Sequence, residues 1–217
     1  MLFDIFAMSL TYIPMWFSLI LIGLGIYRLS FTRYISQMIY STLILTFASV
    51  CIQTLESPFL LTVLMPVVTV LCFMHIFKFG CIHSIFIATP AFAIGLLVEL
   101  LSSLVLSSFH WGRTISHIQG YINWPGWIIS GINFILAWSL HKYRLGFSYL
   151  NVRNDPIIPL HAMNKKILFT TAISAFIILQ ISIILYLYDN LFYYTFLLLI
   201  SSFFILVLLL YQKDLNS

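Results

Sequence analysis

The chain has 217 residues, of which 62% are hydrophobic and only 7% charged, with a formal net charge of +4. Soluble domains carry about 25% charged residues, so this composition excludes a water-facing surface of ordinary size. The positive balance does not indicate nucleic acid, because the basic residues are spread over loops beside apolar runs, where they set topology and meet anionic lipid headgroups.

A hydrocarbon core of about 30 Å takes roughly 20 apolar residues in a helix, and the sequence breaks into about seven such runs. The first covers residues 5–27 and is closed by Arg28. It is preceded by Asp4 instead of a basic stretch and has no small-x-small cleavage pattern, so it is expected to persist as a helix and not be removed as a signal peptide. The second covers 34–55 and ends at Glu56-Ser57-Pro58; the third covers 59–77, with Lys78 and Gly80 as its break; the fourth covers 81–107. The fifth covers 124–140, opening on Trp124-Pro125-Gly126 and closing on His141-Lys142. A polar stretch, 143–164, holds Arg153-Asn154-Asp155-Pro156 and Pro159 and is expected to be a cytoplasmic linker. Beyond it lie the sixth run, 167–188, preceded by Lys165-Lys166, and the seventh, 191–211, followed by Gln212-Lys213-Asp214. Pro14 and Pro66 fall inside runs, where a missing backbone hydrogen bond favours a kink.

The expected fold is therefore all-α: a polytopic integral membrane helical bundle of about seven transmembrane helices. It divides into a five-helix unit (1–142), the linker (143–164) and a two-helix hairpin (165–217). Charge supplies the orientation. Of ten Lys and Arg residues, Arg28, Arg33, Lys78, Lys142, Arg144, Arg153, Lys165, Lys166 and Lys213 fall on one face and only Arg113 on the other. Basic loops stay cytoplasmic, which places the C-terminus inside, the N-terminus outside, and Asp4, Glu56, Arg113 and Asp189 on the outer side. Trp111, Tyr121, Trp124 and Trp127 gather at one outer boundary, where amphipathic rings settle. The expected location is the plasma membrane of a bacterium, with the lipid bilayer as the first partner.

Chemistry-bearing residues are few. Glu99 stands about eight residues before the end of the fourth run, roughly 12 Å below the interface. A carboxylate at such depth costs about 2.5–3.5 kcal/mol on insertion scales. Ser102 and Ser103, three and four residues on, share its face. One reading is a ligand or proton site facing the bundle interior; the plainer one is a protonated or hydrogen-bonded structural glutamic acid. Gln53 and Glu56 at the outer end of the second run, with His110, Arg113 and His117 in the outer loop after the fourth run, are expected to line one outward vestibule together with Glu99. An acidic and a basic group at one mouth suit a zwitterionic peptide end or an amphipathic ligand; ordinary interfacial charge is the plainer alternative.

His75 and Cys81 flank the Lys78–Gly80 break and are the residue types of a cysteine peptidase pair, as in the Agr-type peptide-processing membrane peptidases. The Gly-Gly-x-His signature of that family is absent and no third orienting group stands by. His83 is expected to be interfacial, and His141 and His161 flank the basic linker with no specific role. Cys51, Cys72 and Cys81 have neither zinc nor disulfide spacing and are expected as lipid- or core-facing thiols. There is no Walker loop, dinucleotide fingerprint, nucleophile elbow or His-Glu-x-x-His helix, so no cofactor and no metal are expected. Gly23 and Gly25 are not in GxxxG spacing, and no inverted repeat of the transporter type is visible.

Residues 8–150 resemble the membrane sensor region of Firmicute sensor histidine kinases of the GHKL type, related to Agr quorum-sensing receptors. The resemblance rests on the apolar first helix ending at Tyr27-Arg28, the Gln53…Glu56-Ser57-Pro58 corner, the helix holding Glu99, the Trp124-Pro125 opening of the fifth helix, and Phe147-Ser148-Tyr149-Leu150-Asn151. It implies an extracytoplasmic signal, often a peptide, read by the helical bundle. Residues 151–217 are expected to hold no kinase domain, and His161 lacks the surrounding helix of a phosphoacceptor, so the resemblance implies a sensor-like module closed by an extra hairpin. The leading expectation is a non-enzymatic protein that senses or regulates in response to an extracytoplasmic small molecule or peptide. It would act with a second copy of itself or with a separate signalling partner. The alternative is a transport component, a substrate-binding subunit with an ATPase partner; a third reading is an intramembrane cysteine peptidase.

Overall fold

The computed structural model describes residues 2–54, 58–108 and 124–144. These form α1 (Leu2–Ile26), a short 3-10 turn (Thr32–Tyr34), α2 (Ile35–Thr54), α3 (Pro58–His75), α4 (Cys81–Leu106) and α5 (Trp124–Lys142). No strand occurs among them. The first five apolar runs are thus helices with ends within a few residues of those expected. The linker beyond Arg144, the sixth and seventh runs, and Glu56, His110, Arg113 and His117 lie outside the described residues. Three segments, Ile5–Ile26, Thr32–Thr54 and Cys81–Leu106, are long and apolar enough to cross a membrane. Pro14 and Pro66 lie inside continuous helices, as does Pro90 in α4. α5 runs on through Lys142, past the expected end at residue 140. Basic side chains are favourable beside a helix's last carbonyls, and the Lys142 ammonium lies 4.4 Å from the Trp138 ring centre.

α1 lies at the centre. It packs on α5 along much of its length and also on α2 and α4, while α3 joins α2 to α4. Close approach is made by small residues. A Cβ on Gly23 would stand 3.1 Å from Cγ2 of Ile87, and one on Gly25 3.4 Å from Cβ of Leu140. The Tyr27 hydroxyl donates to the carbonyl of Phe86 at 2.8 Å. At the same end of the bundle the Phe31 ring stacks on His141 with centres 4.4 Å apart. Tyr34 meets Phe77 and Phe79 at 5.7 and 5.5 Å. These contacts gather the C-terminal ends of α1, α3 and α5 with the N-terminal ends of α2 and α4. All described basic residues, Arg28, Arg33, Lys78, Lys142 and Arg144, belong to this one end.

Three of those cations occupy left-handed positions that terminate helices: Arg28 (φ 52), Lys78 (φ 59) and Arg144 (φ 51). After α1 the N–H of Arg28 bonds the carbonyl of Gly25 and that of Leu29 bonds Leu24, each at 3.0 Å. This is a Schellman cap, in which glycine is the usual residue.

The outer surface is apolar in a manner foreign to soluble bundles. On α2 the exposed side carries Ile35, Ile39, Tyr40, Leu43, Ile44 and Phe47, the last 72% exposed. Its buried side carries Ser41, Thr42, Thr46 and Ser49 between Met38, Leu45 and Val50. Water would select the reverse arrangement; hydrocarbon around the bundle accounts for this one.

Candidate site at the end opposite the basic residues

Opposite the basic end lie the beginning of α1 and the last turns of α2 and α4. Polar side chains tie the first two together. The Tyr12 hydroxyl bonds Oε1 of Gln53. One turn along, the Trp16 indole N–H donates to Oγ of Ser49 at 2.8 Å. The Ser49 hydroxyl in turn donates to Sδ of Met65 on α3 at 3.6 Å. The other side of Trp16 meets Phe92 of α4 with ring centres 6.0 Å apart. Trp16 therefore spans the bundle from α2 to α4.

Glu99 is placed by the register of α4 against α1. The chains run antiparallel, with Gly23 against Ile87 and Ala91, and Gly95 against Leu19, where an added Cβ would meet Cδ1 at 3.0 Å. Glu99 stands one turn beyond Gly95 and two beyond Phe92, so it shares their α1-facing side. It is half-buried and lies about 27 Å along the helix axis from Cys81. Every described cation sits at the far end, so none of them reaches this carboxylate. Ser102 and Ser103, at 8% and 2% exposure, are buried beside the same turn.

The structure thus brings Glu99, Ser102 and Ser103 together on one stretch of α4, and places Gln53 at the same end, already held by Tyr12. Glu56 and Arg113, expected at the same mouth, fall outside the described residues. His75 and Cys81 are both exposed, and no hydrogen bond joins them. His83, in the first turn of α4 at the basic end, is buried, at 8% exposure. Cys72 is buried and Cys51 is exposed, in line with core- and lipid-facing thiols. Among the described residues no three His, Cys, Asp or Glu side chains converge as metal ligands. Tyr12, Trp16 and Ser49 did not stand out in the sequence. For Ser49 the signal was the recurrence of Thr42, Thr46, Ser49 and Gln53 at spacings of four, three and four, which places a polar line on one face of an otherwise apolar helix.

No protein-family model, no curated protein and no solved structure matches the chain.

Proposed function

We propose that this is a multi-pass bacterial membrane protein of about seven spans, with its basic end in the cytoplasm and its N-terminus outside. Its outward end receives an extracytoplasmic small molecule or peptide, and it acts as a sensor or regulator without catalysing a reaction. The observation that carries this reading is Glu99: a half-buried carboxylate on the α1-facing side of α4, out of reach of every described cation. Intramembrane carboxylates are costly and persist where they face a cavity, a partner or a ligand. Arg113, in the outer loop, is the proposed counter-charge, with Gln53, Glu56, Ser102 and Ser103 around it. The gathering of the described cations at one end supports the orientation, and the resemblance of residues 8–150 to a kinase sensor region points the same way.

The test is Glu99→Gln in the purified, full-length protein, screened by thermal shift against the peptide fraction of the bacterium's own culture medium. The expected outcome is unchanged unliganded stability and a lost shift. An equal shift in both proteins, or loss of folded variant, would remove Glu99 from the binding role. The second reading, a substrate-binding transport subunit working with an ATPase, draws on the buried hydroxyls of α2.

A further inference from the structure

α4 runs without interruption from Cys81 to Leu106, yet Pro90 stands inside it. A proline inside a helix has no N–H for the carbonyl four residues back, and its ring pushes that carbonyl aside. Here the carbonyl belongs to Phe86. Phe86 is 2% exposed, and Ile87 and Ala88 beside it are 0% and 2% exposed, so the missing donor is not replaced from the surface. The hydroxyl of Tyr27, just past the end of α1, replaces it: it donates to the Phe86 carbonyl at 2.8 Å, in a buried bond.

The face of α1 that carries Tyr27 meets the rest of the break as well. Gly23 lies one turn before Tyr27. A Cβ on Gly23 would stand 3.4 Å from both the Ile87 carbonyl oxygen and the Cβ of Ala91, so α1 touches α4 on both sides of Pro90. The replacement donor therefore comes from a neighbouring segment and not from α4 itself. Such a bond can break and re-form without unfolding either helix, whereas an N–H at position 90 would be fixed in the helix.

Pro90 divides α4 into an inner arm, 81–89, and an outer arm, 91–106. Glu99, Ser102 and Ser103 all lie on the outer arm. Glu99 is about 14 Å beyond Pro90. A kink of about 20°, the size at which proline is the usual cause, would carry it about 5 Å.

We propose that α4 is a hinged helix, and that the Tyr27 hydroxyl is the latch holding the hinge in the seating described. Release of the Tyr27–Phe86 bond lets the outer arm swing against α1. This deepens the reading of Glu99 as the outer ligand site and rests on it in one respect only. A ligand that binds Glu99 more tightly in one seating than in the other shifts the latch, and so reports to the basic end of the bundle. The hinge itself is tested without any ligand.

Double electron–electron resonance on the full-length protein in lipid nanodiscs reads the two arms separately. For the outer arm, spin labels are placed on Cys51, exposed near the outer end of α2, and on Val105→Cys, at a position 64% exposed on α4, with Cys81→Ala. For the inner arm, they are placed on Cys81, exposed in the first turn of α4, and on Tyr40→Cys of α2, at a position 62% exposed, with Cys51→Ala. Cys72 is buried and stays unlabelled. Tyr27→Phe is expected to shift or split the outer distance by about 5 Å and to leave the inner distance unchanged. Adding Pro90→Ala returns a backbone N–H to the Phe86 carbonyl, and the outer distance should return to that of the wild type. An outer distance unmoved by Tyr27→Phe overturns the proposal. So does an equal change at both arms, which would mean that α4 moves as one body, and so does a double variant that fails to recover. Loss of folded Tyr27→Phe protein would also overturn it, since the bond would then hold the bundle together and not a hinge. Should the distances behave as expected while Glu99→Gln keeps its ligand shift, the latch stands and the ligand role of Glu99 falls.

Discussion

α2 and α4 are both long apolar helices packed on α1, yet they are seated by opposite means. α4 is held by steric fit: Gly23 of α1 receives Ile87 and Ala91, and Gly95 of α4 receives Leu19. α2 is held by polar contacts, Tyr12 to Gln53 and Trp16 to Ser49. Their surroundings differ in the same sense, with 61% of the apolar window of α4 buried against 39% for α2. Where the medium outside a helix is as apolar as the core, hydrophobicity ceases to choose the inward face. Small residues and hydrogen bonds choose it instead. In α4 that choice favours smallness, and a single carboxylate stands out. In α2 it favours hydroxyls, and a whole line of them is interior.

The α4 seat should be the easier to break. Gly23→Leu drives a branched side chain into Ile87, whose Cγ2 is already 3.1 Å from where a Cβ would lie. Overpacking of this kind costs about 1–3 kcal/mol, and here backbone and side chain would both have to yield. The melting temperature in detergent should fall sharply, with much of the protein lost to aggregation. Gly131→Leu on α5, where an added Cβ meets nothing within 4 Å, should melt with the wild type. Equal melting of both variants would mean that α1 and α4 are not in the close contact described.

The α2 seat should break more gently. Trp16→Phe removes the donor to Ser49 but leaves an aromatic ring against Phe92. A lost neutral hydrogen bond with a buried partner left behind costs about 1–3 kcal/mol, and the Ser49 hydroxyl can still donate to Met65. The expected loss lies at the low end, near 1 kcal/mol. Combining Trp16→Phe with Ser49→Ala should recover part of it, and the coupling in a double-mutant cycle should reach about 0.5–1.5 kcal/mol. Strictly additive losses would deny the bond a role in seating α2.

The two helices were also unequally legible in the sequence. The helices themselves, their order and the break at Lys78–Gly80 follow from run length and from where charges interrupt it. Glu99 was conspicuous because one carboxylate in 26 residues of α4 has no apolar explanation. The buried hydroxyls of α2 were hidden, since Ser and Thr barely lower hydropathy and their direction depends on which face α1 and α3 cover. Gln53 was noticed for its place near the helix end; Ser49, one turn deeper, became visible only once Trp16 was seen to reach it. The burial of His83 was hidden for the same reason: nothing local reveals which side of the first turn of α4 faces the bundle.

The smallest effect is expected where both seats share an end, at Arg28. Its left-handed backbone (φ 52) costs a non-glycine residue roughly 1–2 kcal/mol. Arg28→Gly removes that cost but loosens the unfolded chain, which offsets about 0.4–1 kcal/mol. It also loses a cation from the C-terminal end of α1, worth about 0.3–1 kcal/mol. These terms nearly cancel, so in neutral detergent the variant should stay within about 0.5 kcal/mol of the wild type. Anionic lipid adds one further term, about 1 kcal/mol for a basic residue near a charged membrane surface. In nanodiscs containing phosphatidylglycerol the variant should therefore be the less stable protein, and in phosphatidylcholine it should match the wild type. Melting curves in the two lipids check this directly. A variant less stable than wild type by the same margin in both would mean that Arg28 serves the helix cap alone, with the lipid surface playing no part.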